Sequence, residues 1–336
     1  MIRRIEAYKY RCFDRLDLEL GHQQVLAGSN GSGKTTLLDI VSLISDVTKS
    51  NNVNDAFFFP CNGRDRSRAE RARELIFNLS GETFTLILEI YLPQFIQDHL
   101  QSIGPKRFRD DPRNISDCAR YEIAFSLDDQ RINVSEEHLI LFSTKVTNQP
   151  DHGDGLQGVR GISDPETQFH VIERSLRHKA IFRYEWRDRR SSNELSFAMR
   201  NTQSALSILP ADEEFFTVSL WVQEFLLDGA FCYEPSWPVM RLASSSRDRN
   251  VFRSDGGSLA WQIYEIQHSD EENFNEWVSL VKLALPNIES IKADIRPDDG
   301  CCYLSVGYKY GEVLNANSLS HGTLCSYLSS WWMPSI

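Results

Sequence analysis

Gly28-Ser29-Asn30-Gly31-Ser32-Gly33-Lys34-Thr35-Thr36 carries the G-x-x-x-x-G-K-T pattern of a phosphate-binding loop in full. The chemistry needs those residue types at that spacing. Consecutive backbone N–H groups converge on a polyphosphate only where no Cβ intrudes, and Gly28, Gly31 and Gly33 supply that freedom. Lys34 is the point charge for the β- and γ-phosphates, Thr35 offers a hydroxyl to Mg²⁺, and the start of a following helix favours an anion. The residues 28–36 therefore point to a nucleoside triphosphate.

The flanks agree. Val25-Leu26-Ala27 reads as the end of a buried strand, and Thr36 to Ile44 places apolar residues at helical spacing, so the expected order is strand, glycine turn, helix. Upstream, Ile2 to Tyr8, Leu16 to Leu20 and Gln24 to Ala27 read as three short strands leading into the loop.

Length and composition set the outer bounds. A chain of 336 residues, 41% hydrophobic and 25% charged, is long enough for a sizeable core, and one composite domain is expected. A net charge of −11 argues against a broad surface that coats nucleic acid, while a local basic patch stays open. The start, Met1-Ile2-Arg3-Arg4, has no signal-type apolar core, and no apolar run is long enough to span a bilayer, so the expectation is a cytoplasmic protein. Seven cysteines (Cys12, Cys61, Cys118, Cys232, Cys301, Cys302, Cys325) without a C-x-x-C pairing indicate neither a disulfide framework nor a zinc site.

The remaining chain divides into a β-rich section, 49–210, and a helical section with strands, 211–336, after an N-terminal part, 1–48. Lys49 to Arg73 is polar and reads as an exposed loop leading into a charged helix, either a solvated face or a DNA-contact strip. Phe84 to Leu92 is a strand, and Arg120 to Leu127 with Ile132 to Leu141 form a hairpin turning at Asp128-Asp129-Gln130. Asn148 to Gln168, rich in glycine and aspartate, is a long surface loop or a partner-binding loop. From Ala211 a helical pattern runs to Asp228-Gly229. Helices at Ser258 to Gln267 and Glu271 to Leu285 follow, then strands near Ile288 to Ile295 and Cys302 to Tyr308. Asp298-Asp299-Gly300 reads as a turn. Arg183, Arg187, Arg189, Arg190, Arg247, Arg249 and Arg253 are interleaved with acids and read as a salt-linked surface rather than a phosphate-backbone patch. Trp186 and Trp237 read as packing residues.

A second string, Asn317-Ser318-Leu319-Ser320-His321-Gly322-Thr323-Leu324, opens a short apolar helix and by itself reads as an N-cap with a tight turn. Together with the phosphate loop it resembles the Leu-Ser-x-Gly signature of ABC-type ATPases and their SMC, RecF and OLD relatives. Tyr10-Arg11-Cys12-Phe13 is similar to that family's Phe-Arg-x-Phe opening. Asp255-Gly256-Gly257-Ser258 and Leu285-Pro286-Asn287-Ile288 complete a succession that looks like stand-alone ATPases with an AAA_21-type domain.

The resemblance implies an α/β P-loop NTPase fold, an ABC-ATPase-like head with antiparallel β additions and a helical subdomain. It implies ATP and Mg²⁺ as ligands and a homodimer formed by head engagement, in which Ser320 and Gly322 contact a γ-phosphate held by the partner's Lys34. It also implies a role in DNA repair or phage defence, with DNA and a nuclease or other effector as partners. His321 departs from the acidic residue usual at that position.

In that family a strand carrying a metal-positioning Asp and a catalytic Glu follows the signature, with a switch His later still. Residues 323–336 contain no such string. The expectation is therefore a truncated, frameshifted or split product, poorly soluble or monomeric alone, with Trp331-Trp332 in an unnatural or partner-covered tail, an ATP-binding ATPase head whose own hydrolysis the missing base puts in doubt. Ile123 to Asp129 imitates the missing strand, but Asp128-Asp129 reads better as a hairpin turn. The alternatives are a non-hydrolysing ATP-binding interaction protein and, with less support, a small-molecule kinase.

Overall fold

The computed structural model describes residues 1–60, 67–103, 111–145, 168–175, 179–185, 194–229 and 233–324. They fall into two compact units, one reaching Gly229 and one starting at Tyr233. Each has its own apolar core.

The first unit contains β1 (Ile2–Tyr10), β2 (Phe13–Glu19), α1 (Lys34–Lys49), α2 (Val53–Phe58), β3 (Thr83–Tyr91), α3 (Gln94–Ile103), β4 (Cys118–Asp128), β5 (Arg131–Phe142), β6 (Gln168–Ser175), β7 (Ala180–Arg183), β8 (Glu194–Phe197) and α4 (Thr217–Glu224). The strands form one antiparallel sheet in the order β2-β1-β3-β4-β5-β6-β7-β8. The expected α/β class with antiparallel β additions is what the chain adopts.

Strand alternation splits this sheet into two chemically different faces. Register aligns Ala7, Leu86 and Ile123 across β1, β3 and β4, and Ile5, Leu88, Tyr121 and Leu139 in the next row. Those residues share one core with Leu37, Ile40, Leu43, Ile44 and Val47 of α1, whose spacing makes a helical stripe. The opposite face carries Arg4, Glu6, Glu89, Arg120 and Glu122. All five are buried, and Arg120 bonds Glu6 (2.5 Å), Glu89 (2.7 Å) and Glu122 (2.6 Å). Buried charges survive because each guanidinium meets carboxylates.

The apolar face also holds one carboxylate, Glu137. It accepts hydrogen bonds from the Ala205 and Leu206 amides (2.6 and 2.9 Å), the Ser204 hydroxyl (2.8 Å) and the Tyr121 hydroxyl (2.9 Å). Four donors replace the water it has lost and tie segment 204–206 to the sheet. Glu185 does the same for α4, accepting from the amides of Val218 (2.8 Å) and Ser219 (2.7 Å) at that helix's start.

Two expectations fail here. Gln24 to Ala27 forms no strand: residues 21–29 carry no regular structure, and Val25 is 93% exposed. Its alternation is strand-like, since Leu26 leans on the core, but no strand among the described residues offers it a ladder, and unpaired backbone stays in water. The charged helix expected before Arg73 is also absent among the described residues. Val53–Phe58 is a short helix with Val53, Ala56 and Phe57 buried, and Ala72–Leu75 is a 3-10 turn.

The hairpin at 128–131 is as expected, with Asp128 paired to Arg131 and Asp129 at φ 55° in the turn. Most of the glycine-rich loop Asn148 to Gln168 lies outside the described residues. So do the 61–66 part of the polar run, Cys61, Trp186, Arg187, Arg189, Arg190, Cys232, Cys325 and the Trp331-Trp332 tail.

The second unit contains α5 (Trp237–Met240), α6 (Leu259–Ser269), α7 (Glu271–Ala284) and a meander of β9 (Ile288–Ile295), β10 (Cys302–Tyr308) and β11 (Val313–Asn315) in the order β11-β10-β9. Asp270 caps α7 by accepting from the Asn273 amide at 3.1 Å. Trp261 and Trp277 anchor the core between these helices and the inward residues Ile291, Ala293, Leu304 and Val306. The turn expected at Asp298-Asp299-Gly300 is present, with Gly300 at φ 68°.

Candidate functional site

The phosphate-loop sequence folds into a left-handed turn that runs straight into α1. Gly31 (φ 80°) and Gly33 (φ 91°) both occupy the region that side chains avoid. Gly33 is the N-cap of α1, and the Leu37 amide is the first to close a helical bond, to Gly33 O at 2.8 Å. The amides of Lys34, Thr35 and Thr36 thus precede the helical ladder, the arrangement that suits an anion at the start of a 16-residue helix. Lys34 Nζ donates to the carbonyls of Gly28 and Ser29 at 2.7 Å each, which holds its charge over the loop.

The turn between β1 and β2 backs this loop. A Cβ on Gly33 would stand 2.8 Å from the Phe13 ring and 2.9 Å from Cys12 Sγ, closer than side chains approach. Cys12 and Phe13 therefore shape the loop physically, a role that no local pattern in those residues reveals. Cys12 is an exposed free thiol.

Arg68 was expected in an exposed run and is instead buried against α1. Its guanidinium bonds Asp39 at 2.8 Å and Asp46 at 2.6 Å, and donates to the Ala56 carbonyl at 2.6 Å. Burial opposes its charge, but Asp39 and Asp46 outweigh that and raise its pKa. Arg11 donates to the Arg68 carbonyl at 2.5 Å. A cavity of about 480 Å³ opens beside these groups, lined by Arg11, Cys12, Arg68, Glu74, Asn78 and Leu79 among others. Cys12 is common to the cavity wall and the Gly33 contact.

For a triphosphate the residues fit: two left-handed glycines open the loop, Lys34 lies over it, and the amides of Lys34, Thr35 and Thr36 have no intrahelical partner. Thr35, the residue to which the loop pattern gives the Mg²⁺ hydroxyl, is exposed in the first turn of α1. Among the described residues no cluster of three or more His, Cys, Asp or Glu is placed to hold a metal ion. Asp128 and Asp129 form the hairpin turn between β4 and β5.

The signature segment lies in the second unit. Ser320 Oγ accepts from the Thr323 amide at 3.2 Å and meets the Thr323 hydroxyl at 2.9 Å, so Ser320 is the N-cap its sequence indicated. Arg241 donates to the Leu319 carbonyl from Nε (3.3 Å) and Nη2 (3.0 Å), and its Nη1 lies 3.1 Å from His321 Nε2. The Trp237 ring lies 5.8 Å from the imidazole. Trp237 is a packing residue, as read, and its partner is His321.

Of the arginines considered for nucleic acid, the described Arg183, Arg249 and Arg253 are salt-linked, and Arg247 makes no ion pair among the described residues. Arg183 pairs with Glu173 and Glu194, Arg249 with Glu265, and Arg253 with Asp248 and Asp255. Among the described residues no helix is long and apolar enough to cross a membrane.

No family model and no curated protein matches this sequence. Among solved structures, the chain is similar to an SMC head bound to the C-winged helix domain of ScpA. The identity is 11% and the TM-score 0.47, over 99% of this chain and 76% of that one. It is also similar to a structure from work on ATP-driven dimerization and DNA stimulated activation of SMC ATPases. There the identity is 16% and the TM-score 0.26, over 41% of this chain and 68% of that one. Both likenesses concern the path of the chain, and no residue role follows from either.

Proposed function

We propose that the first unit binds ATP with Mg²⁺ through residues 28–36, and that nucleotide drives engagement of two such heads in the manner of SMC/RecF-like ATPases. In this reading Ser320 and Gly322 contact a γ-phosphate held by Lys34 of the second copy. The observation that carries it is the glycine turn at Gly31 and Gly33 opening directly into α1 with Lys34 above it. Mg²⁺, when bound, supplies charge neutralisation at the β- and γ-oxygens. The chain's own part is to hold the phosphates by backbone amides, Lys34 and Thr35. A role in DNA repair or phage defence, with DNA and a nuclease or other effector as partners, belongs to the same reading and rests on the sequence resemblance alone.

A second reading, ATP binding without hydrolysis, is favoured by one specific observation. Asp128 and Asp129, the residues that imitate a catalytic pair, lie in the turn of the β4–β5 hairpin. Equilibrium binding and steady-state turnover of ATP on the same preparation, with Lys34→Ala as control, separate the two. Lys34-dependent binding without turnover selects the second reading, and Lys34-dependent turnover selects an ATPase. Binding that Lys34→Ala leaves intact rejects both.

A further inference from the structure

Helix α1 is held on two sides, and the second hold comes from one side chain. Its apolar stripe, Leu37, Ile40, Leu43, Ile44 and Val47, lies in the core. Such a stripe fixes the depth of a helix well and its roll poorly, because apolar packing is non-directional. Asp39, Ser42 and Asp46, all buried, form a second stripe. At about 3.6 residues per turn the two stripes stand about 130° apart around the axis, so contacts on both stop the helix from rolling.

The second stripe converges on Arg68. Nε donates to Asp39 at 2.8 Å, and Nη2 donates to Ser42 Oγ at 3.2 Å and pairs with Asp46 at 2.6 Å. Arg68 itself is anchored away from α1. Its Nη1 donates to the Ala56 carbonyl at 2.6 Å and its backbone amide to the Phe57 carbonyl at 3.0 Å. Phe57 in turn packs edge-on against Phe84 of β3 and Phe125 of β4, with ring centroids 6.0 and 5.3 Å apart. Directional bonds therefore run from α1 through the guanidinium to α2 and the sheet core. A planar fork with five donors can do this, whereas the compact ammonium of a lysine reaches one carboxylate at a time.

The roll of α1 matters most at its first turn. The amides of Lys34, Thr35 and Thr36 belong to the helix and point where its rotation aims them. Arg11 ties the same support to the β1–β2 turn by donating to the Arg68 carbonyl at 2.5 Å, and the next two residues, Cys12 and Phe13, lie against Gly33. Helix and turn are thus registered to each other both at Gly33 and at Arg68.

We infer that Arg68 is a positioning residue for polyphosphate: by holding Asp39, Ser42 and Asp46 it sets the rotation of α1 and so the aim of the amides at 34–36. The link to nucleotide rests on the proposed reading of residues 28–36, whereas the hold on α1 does not.

The test measures calorimetric binding of ATP and of inorganic tripolyphosphate to the full chain, with urea melts on the same preparations. Two variants loosen the hold without touching the phosphate loop. Arg68→Lys keeps the charge and loses the fork, and Asp46→Ala lies about 20 Å along α1 from Gly33, too far to meet a phosphate. Both weaken ATP and tripolyphosphate alike, by about tenfold, the scale of one lost charge-assisted hydrogen bond. Val171→Ala, in the core at β6, lowers stability and keeps both affinities. A merely structural arginine gives earlier melts with unchanged affinity in the folded protein.

Unchanged affinity in folded Arg68→Lys and Asp46→Ala overturns the inference, as does an equal loss in Val171→Ala or a loss confined to ATP. Should Arg68→Lys not fold, Asp46→Ala decides alone. Failure of the nucleotide reading shows elsewhere: wild type that binds neither ligand, or Lys34→Ala that binds both as well as wild type, rejects it. The rate at which a maleimide labels Cys12 in ligand-free protein then tests the hold on α1 by itself. Faster labelling in Asp46→Ala than in wild type keeps that hold, and an equal rate removes it.

Discussion

Cys12 Sγ rests against Gly33, so close that a methyl group on that glycine would stand 2.9 Å from the sulfur. The contact joins the β1–β2 turn to the phosphate loop and makes the loop's shape a tertiary property. Gly33→Ala meets two penalties at once, a left-handed φ of 91° and a collision with Cys12 and Phe13. The expected cost is about 1–3 kcal/mol of stability together with loss of nucleotide binding. Gly31→Ala, at φ 80° but with open space around its Cβ position, suffers only the backbone part. Denaturant melts of the two variants rank them, and a Gly33→Ala protein as stable as Gly31→Ala removes the packing argument.

The exposed Cys12 thiol can be used as a reporter. Maleimide attached there adds bulk beside Gly33 at the start of α1, so labelled protein is expected to lose ATP binding and ATP to slow labelling. Peptide mass spectrometry assigns the site. Labelling of Cys12 at one rate with and without ATP counts against nucleotide sitting beside it.

Arg68 is a buried cation between Asp39 and Asp46. Arg68→Met removes the guanidinium that bonds both Asp39 and Asp46, with Arg11 left 3.9 Å from Asp39, and is expected to cost about 3–5 kcal/mol. Adding Asp39→Asn and Asp46→Asn should recover part of that loss, and urea titration of the single and triple variants measures how much. A triple variant no more stable than Arg68→Met means the cation acts by shape.

Burial raises the Glu185 carboxyl to about 7, with the Ser219 and Val218 donors pulling the other way. The folded state then holds a proton that the unfolded state has released. The stability from this group is complete below the ordinary carboxylate range and is lost as pH rises through about 7. Glu185→Gln does not titrate, so the stability advantage of wild type over the variant should shrink by on the order of 2–3 kcal/mol between pH 4.5 and pH 8. A gap that widens with pH means the helix amides hold Glu185 ionised.

His170 titrates in the opposite sense. Burial and neighbouring His138, 6.4 Å away between ring centroids, lower its pKa despite Glu173 and Glu122. The folded state gives up that proton before the unfolded chain does, so stability is lost as pH falls below the ordinary histidine range. His170→Phe should flatten the acid limb of the stability profile between pH 7 and pH 5, and an unchanged limb excludes His170 as its source.

Much of this molecule is written locally. The period of two at 83–91, 288–295 and 302–308 and the helical period at 271–284 appear in the structure within a residue or two, because side-chain period needs only a neighbouring core to point at. The glycines of residues 28–33 announce a phosphate loop for the same kind of reason, since positive φ is a property of single residues. The Asp128-Asp129 hairpin is local turn chemistry.

What only the tertiary structure decided is which groups found partners. Gln24 to Ala27 has the alternation of a strand, but a strand exists only beside another, and none among the described residues pairs with it. Arg68 sits in a run that looks solvated, yet it is buried because two carboxylates of α1 face it. Cys12 against Gly33, Glu185 on the start of α4 and Arg241 on His321 link residues 21, 33 and 80 positions apart. Such contacts have no period, and the sequence by itself determined the elements while packing across those separations determined the partners and the shape of the candidate site.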